Sequence, residues 1–128
     1  TPMPTNEPQS PEQRIVTVGD TSIYVDVADT EVSRERGLSG RDGLVPNSGM
    51  LFVFDNDGKW GIWMKDMKFS IDIVWLAQDG TVITIAPDTA PDTYPKAFYP
   101  TKPARYVVEL PAGFAKAHSI QAGDRFTL

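Results

Sequence analysis

Short apolar runs, in which β-branched and aromatic residues often alternate with polar ones, recur along the chain from Ile15 onward. Such runs, bounded by turn residues, are typical of β-strands. They are "IVTV", "TSIYVDVA", "GMLFVF", "WGIWMK", "SIDIVWLA", "TVITI", "RYVVEL" and a final strand in "AGDRFTL". Their spacing predicts a mainly β fold, a compact antiparallel β-barrel or sandwich of about seven or eight short strands. The gaps are too short for the crossover helices of a parallel α/β sheet.

Turn and helix signals complete this outline. Gly19 and Asp20 separate the first two runs, and Asp79-Gly80 lies between two β-branched runs, as a tight hairpin requires. The segment "DTEVSRERGLSG" predicts a short helix, capped by Asp29 or Thr30 and ended by Gly37 or Gly40. "FAKAHSI" predicts one or two further helical turns, so we expect one or two short helices in all.

The first fourteen residues differ from the rest of the chain. They hold four prolines and almost no large apolar side chains, which predicts a Pro-rich linker over residues 1–14 and a single β domain over residues 15–128. A linker that starts at Thr1 rather than Met is typical of an exported protein whose signal peptide has been removed. We therefore expect a periplasmic, extracellular or lipid-anchored protein, with a cytoplasmic location as the alternative.

Charge and composition narrow the possible partners. The 128 residues include 12 basic and 17 acidic side chains, a net charge of −5, which disfavours nucleic acid as a partner. No run approaches the ~20 apolar residues of a transmembrane helix. Cysteine is absent and His118 is the sole histidine, so we do not expect a transition-metal site. No glycine cluster has the spacing of a phosphate loop or a dinucleotide-binding turn, so we do not expect a bound cofactor. The "DNDGKWG" segment lacks the Gly and Glu spacing of a helix-loop-helix calcium site.

Charged residues inside the apolar strands are the first candidate site. The period of two places Asp72 with Val74 and Leu76, while the opposite face of the same strand is also apolar. Asp72 is therefore expected to be at least half buried and paired with a basic group or backbone donors. If neighbouring strands present their mixed faces together, four charged residues cluster beside the Trp63 ring. They are Lys65, Asp72, Arg105 and Glu109. A structural ion-pair network is the simpler interpretation of such a cluster.

A long loop supplies the second candidate site. Residues 87–103 contain five prolines, too many for a central strand, and a connection of this length is often functional. Tyr94 and Tyr99, interleaved with Lys96 and Lys102, are able to stack on sugar rings or hold an acidic small molecule. Alternatively, these aromatic residues fold back and cover an open end of the barrel.

Several of these segments together resemble one family. They are "RERGLSGRDGL", "GMLFVFDNDGKWGIWMKDMKFSIDIVWLAQDGTVITI" and "ARYVVELPAGFAKAHSIQAGDRF". The combination resembles domain-of-unknown-function family 192 over about residues 21–128. Small departures are Ser39, where the family usually has Met, and Asp66-Met67 in place of a commoner Asn-Thr. The resemblance implies a compact, mostly antiparallel β fold and frequent export, and it implies no activity.

We therefore expect an exported, monomeric domain that binds a small molecule or glycan without catalysis. The expected binding residues are Trp63, Lys65, Asp72, Arg105, Glu109, Tyr94 and Tyr99. An envelope protein-interaction module is the alternative, and a hydrolase that uses two carboxylates is the second alternative. No catalytic residue is assigned.

Overall fold

The computed structural model describes residues 13–128, which form nine β-strands and two short α-helices. The strands are β1 (Gln13–Val18), β2 (Thr21–Ala28), β3 (Ser48–Gly58), β4 (Ile62–Trp63), β5 (Ile71–Leu76), β6 (Val82–Thr89), β7 (Ala97–Phe98), β8 (Ala104–Pro111) and β9 (Phe126–Thr127). The helices are α1 (Glu31–Arg36) and α2 (Phe114–Ala117). The predicted mainly β class is confirmed. The predicted linker lies outside the described residues, except that its last two positions, Gln13 and Arg14, belong to β1.

Seven of the strands form one curled sheet in the order β6-β5-β8-β3-β2-β1-β9, and β4 pairs separately with β7. The ends of the order approach each other, because Thr81 and Arg125 form an isolated antiparallel bridge. The Val82 amide donates to the Asp124 carbonyl at 2.7 Å, and the Phe126 amide donates to the Gly80 carbonyl at 2.9 Å. The sheet therefore curls into a half-barrel whose two edge strands are joined at one end.

One strand pair departs from the antiparallel pattern. β2 and β3 run parallel, with Tyr24 opposite Ser48 and Ala28 opposite Phe52. Parallel neighbours need a crossover connection, and residues 29–47 provide it. This crossover carries α1 over one face of the sheet.

The sheet is apolar on both faces at its centre. Every residue of β5 is buried, and its side chains alternate between two clusters, with Val74 and Leu76 in one and Ile73 and Trp75 in the other. The first cluster includes α2 and β9, and the second includes Leu38, which follows α1. This two-sided burial explains the nearly continuous apolar run of β5.

The crossover helix begins and ends at predicted positions. Thr30 is the N-cap: its hydroxyl accepts from the Ser33 amide at 3.1 Å, and the Ser33 hydroxyl accepts from the Thr30 amide at 3.0 Å. Gly37 ends the helix at φ 47°. No residue of α1 is buried.

The Asp79-Gly80 turn joins β5 to β6, as predicted, and Asp79 Oδ1 accepts from the Thr81 amide at 3.0 Å. Gly80 adopts φ 91°, and a Cβ atom there would overlap the Phe126 carbonyl oxygen. Glycine is therefore required both by backbone conformation and by close approach of the closing strand. Among the described residues, no helix has the length and apolar character needed to cross a membrane.

Candidate functional site

A cleft of about 800 Å³ lies between the crossover helix and the sheet. Its lining residues come from α1 and residues 37–39, from β3, from residues 60–63 and 65–67, and from Glu109 of β8. We call it the α1 cleft. Because the helix buries no residue, the cleft stays open between a solvated wall and the packed sheet.

Two stacked aromatic rings form one wall of the α1 cleft. The Phe54 and Trp60 rings are 4.6 Å apart between centroids and only 7° from parallel. The Trp60 indole donates to the Asn56 carbonyl at 3.1 Å, which fixes the ring relative to β3. Trp75 in the core donates its indole N–H to the Trp60 carbonyl at 2.8 Å. The wall is therefore held by the core through specific hydrogen bonds.

Arg34 ties the helical wall to the aromatic wall. Its guanidinium donates to the Val53 carbonyl at 2.7 Å and lies 5.2 Å from the Phe54 ring centroid. This geometry combines a hydrogen bond with a cation–π contact. It joins α1 to β3 across the α1 cleft.

Glu109 is the buried acid of the α1 cleft, with only 4% of its surface exposed. In the strand register it lies opposite Met50 of β3 and Ile73 of β5, so apolar neighbours flank it on both sides. Burial raises the pKa of Glu109 to about 8. The carboxyl group is therefore mostly protonated at neutral pH.

No hydrogen bond or ion pair to the Glu109 carboxyl is found within residues 13–128. Buried polar side chains usually have such a partner, because desolvation without one is costly. Glu109 therefore stands out in the sheet as a buried group with unused hydrogen-bonding capacity at a cleft.

The predicted aromatic residues lie around the mouth of the α1 cleft. Trp63 lines it and is 49% exposed, and its ring centroid is 5.0 Å from that of Tyr94. The Lys65 ammonium lies 5.8 Å from the Trp63 ring centroid. Tyr99 is exposed and packs against Gly61, where a Cβ atom would come within 2.6 Å of its ring. The structure thus brings Trp63, Lys65 and Glu109 to one cleft, with the two tyrosines beside it.

Asp72 lies on the opposite face of the sheet from Glu109. It is fully buried, and its neighbours along that face belong to the cluster containing Val74 and Leu76. Its Oδ1 atom accepts from the amides of Asp88 at 2.9 Å and Gly113 at 3.1 Å. Its Oδ2 atom accepts from the Ala115 amide at 2.8 Å. The predicted burial and pairing with backbone donors are confirmed, and Asp72 is not part of the α1 cleft.

Arg105 also lies apart from the α1 cleft. Its guanidinium Nε donates to Asp57 Oδ1 at 2.9 Å, which links β8 to the end of β3. The expected grouping of Asp72, Arg105 and Glu109 does not form, so Asp72 and Glu109 do not flank a common substrate position. Whether the predicted residues bind a ligand stays a prediction.

Sequence reasoning did not assign Arg34, Phe54 and Trp60 to the site. A signal for Phe54 was present, because alternation along "GMLFVF" places it on the same face as Phe52. Trp60 follows "DNDG", the end of β3, and its return toward that strand depends on Gly58, where a Cβ atom would come within 2.9 Å of the indole. Within residues 13–128, no three His, Cys, Asp or Glu side chains are placed to hold a metal ion.

Comparison with known proteins gives consistent relatives. The model of family DUF192, described as "Uncharacterized ACR", matches residues 14–128. A UPF0127 protein of Pyrococcus furiosus is 32% identical over 109 residues, covering 80% of this chain and 84% of the relative. A UPF0127 protein of Thermococcus gammatolerans is 30% identical over 103 residues, covering 79% of this chain and 63% of that relative.

Two crystal structures have the same fold. A protein of Sinorhizobium meliloti, described as a candidate transcription regulator, superposes with a TM-score of 0.86 at 30% identity, covering 94% of this chain and 96% of its own. A protein of unknown function from Novosphingobium aromaticivorans superposes with a TM-score of 0.88 at 25% identity, covering 98% and 93%. Sequence and fold agree, and the chain belongs to domain-of-unknown-function family 192.

Proposed function

We propose that the α1 cleft binds a small organic molecule and that the protein performs no chemistry on it. The observation that carries this proposal is Glu109, a buried carboxyl group that lines the cleft without a protein partner among the described residues. A bound molecule that supplies the missing partner offsets the desolvation of Glu109.

The walls of the α1 cleft support a ligand with a planar or ring-shaped part. Small-molecule sites are mostly apolar and aromatic, with a few polar groups that fix orientation. The stacked Phe54–Trp60 pair supplies the aromatic surface, and Glu109, opposite Met50 further along β3, supplies a polar group in the same cleft. The volume of about 800 Å³ falls within the range of such sites.

A glycan is the second candidate ligand, and the mouth of the α1 cleft favours it. Trp63 and Tyr94 are 49% and 43% exposed, and their rings are in contact. Exposed aromatic faces of this kind are suited to stacking on sugar rings. A glycan would occupy the mouth rather than the Glu109 end of the cleft.

The remaining alternatives have less support. A hydrolase that uses Asp72 and Glu109 as its two carboxylates needs both acids on one cleft, and the Asp72 carboxylate is already committed to three backbone amides on the other face of the sheet. A nucleic-acid partner is disfavoured by the net charge of −5. Export and a monomeric state stay predictions.

A fragment screen tests the proposal. Amide resonances of the labelled protein are recorded while a library of neutral, cationic and anionic aromatic fragments and simple sugars is added. We expect some compounds to shift amides that line the α1 cleft, including those of Arg34, Phe54 and Trp60. A library that leaves these amides unchanged, or shifts only amides elsewhere, would reject the proposal.

Matched aromatic variants make the test specific. Trp63→Ala removes an exposed ring at the mouth of the α1 cleft, whereas Tyr24→Ala removes one that is 59% exposed on β2 outside it. We expect Trp63→Ala to weaken binding of a sugar or aromatic fragment by about tenfold, as loss of one stacking contact implies. Tyr24→Ala is expected to bind normally, and equal losses in both variants would contradict the assignment.

A further inference from the structure

In the part of the chain that the structure describes, Glu109 has no cationic side chain to pair with, although charged groups line the α1 cleft on several elements. Those groups are Glu31, Arg34, Glu35 and Arg36 on α1, Asp55 on β3, and Lys65 and Asp66 after β4. The elements packed directly beside Glu109 present Met50 and Ile73, which are apolar. Burial is the sole cause of its raised pKa, so the basic groups of the cleft do not compensate its charge.

The basic groups nearest the aromatic wall are already engaged. Arg34 donates to the Val53 carbonyl and lies over Phe54, and Lys65 lies over Trp63 at the mouth. Including Glu109, five acidic and three basic side chains line the α1 cleft. This excess of acidic side chains favours a positively charged ligand.

We propose that the ligand of the α1 cleft carries a cationic nitrogen, as an organic ammonium group, and that this group pairs directly with the Glu109 carboxylate. The proposal rests on the proposed function and adds the chemical class of the ligand. The ammonium group supplies the missing charge partner, while the rest of the ligand extends along the α1 cleft past Phe52 toward the Phe54–Trp60 wall.

Pairing of this kind changes the protonation of Glu109. Below its pKa of about 8, the free protein holds a neutral carboxyl group, while the ligand arrives as an ammonium ion. On binding, the Glu109 proton leaves to solvent and the ammonium keeps its own protons, so each complex releases one proton. As pH increases toward 8, the affinity for an amine therefore rises about tenfold per pH unit, and above pH 8 it levels off.

Three fragments that differ mainly in charge test this inference: phenethylamine, phenethyl alcohol and phenylacetate. Their dissociation constants are measured from cleft amide shifts at several pH values between about 6 and 8. We expect phenethylamine to bind more tightly than the other two, with the stated rise in affinity. The ¹³C resonance of the Glu109 side-chain carboxyl should move to its ionised position at about pH 6.5 when phenethylamine is saturating.

The outcomes separate the two proposals. Tighter binding of phenethyl alcohol or phenylacetate in the α1 cleft, or phenethylamine binding that leaves Glu109 protonated, would overturn the cationic ligand and leave the proposed function standing. Absence of cleft shifts with all three fragments, together with a failed library screen, would overturn both proposals.

A variant of the acid provides the control. Glu109→Gln keeps the size of the side chain but cannot ionise, so we expect phenethylamine affinity to fall at least tenfold at about pH 8 and to lose its pH dependence. Asp42→Asn removes an exposed carboxylate outside the α1 cleft and should leave the affinity unchanged. Amide spectra establish that both variants are folded. An equal loss of phenethylamine affinity in both variants would show that only general charge attraction is at work, and it would overturn the proposal.

Discussion

Asp72 and Glu109 lie on neighbouring central strands of the sheet, and they differ in whether hydrogen bonds offset the cost of burying the carboxyl group. Asp72 accepts hydrogen bonds from three backbone amides, so its charge is satisfied inside the fold. Glu109 has apolar strand neighbours and remains neutral at moderate pH. The first carboxyl group fastens α2 and the end of β6 to β5, whereas the second is open to an external partner.

Replacing Glu109 should change how stability depends on pH. Its pKa rises from an ordinary value of 4.5 to about 8 in the folded protein, so the folded state binds the proton more tightly than the unfolded state. The stabilising contribution is complete below about pH 4.5 and is lost as pH rises to about 8. Between these limits the wild type should lose on the order of 4 kcal/mol relative to Glu109→Gln. Urea unfolding of both proteins across this range measures the difference, and parallel curves would contradict it.

Removing the Asp72 carboxylate should strongly destabilise the fold. Asp72→Ala leaves three amide donors without their acceptor, at a cost of about 3 kcal/mol or more. Asp42→Ala is the matched control, because the Asp42 side chain is 97% exposed and a change there should stay within about 0.5 kcal/mol. Thermal unfolding measures both, and similar melting temperatures for the two variants would refute the structural role of Asp72.

At the scale of elements, local signals were reliable where one short segment decides the outcome. The Asp79-Gly80 hairpin and the limits of α1 follow from turn and cap chemistry that is visible in the sequence. The parallel pairing of β2 with β3 was not predictable, because it depends on how the crossover packs over the sheet rather than on either strand's own pattern. A period of two looks the same in parallel and antiparallel strands.

Two glycines with positive φ allow the turn requirement to be separated from close packing. Gly80→Ala suffers both an unfavourable φ of 91° and overlap with the Phe126 carbonyl, while Gly123→Ala has φ 97° and open space around its Cβ position. We expect a loss of about 3 kcal/mol for Gly80→Ala and about 1 kcal/mol for Gly123→Ala. Chemical unfolding measures both losses. Equal losses would show that Phe126 does not restrict this turn.

At the scale of the whole molecule, the half-barrel separates the two candidate acids that sequence reasoning grouped. Alternation placed Trp63 and Glu109 on strand faces that were expected to bind a ligand, and both residues line the α1 cleft. Alternation could not show which residues of β5 and β8 would lie on the same side of the sheet, because that depends on strand order and register. Asp72 and Glu109 therefore point to opposite sides of one sheet, a relation that no local pattern records.

Hydrogen exchange should divide the molecule into a stable sheet and a less protected wall. Amides of β5 and β8 lie in central, buried strands and are expected to exchange only by global unfolding. Amides of α1, which buries no residue, should exchange at least about tenfold faster. Saturation with a ligand of the α1 cleft should slow exchange in α1 and leave β1 unchanged. Equal protection of α1 and β5 in the free protein would contradict this division.

The parallel β2–β3 pair has a consequence for how this architecture diversifies. Residues 29–47 form one wall of the α1 cleft, but their helix contributes nothing to the buried core. Substitutions on the solvated face of this crossover therefore alter recognition at little cost to folding, as long as the Thr30 cap, the Gly37 turn and Leu38 are kept. Related proteins can retain one scaffold while exchanging this segment, and the same segment is the natural place to introduce libraries when new ligands are sought.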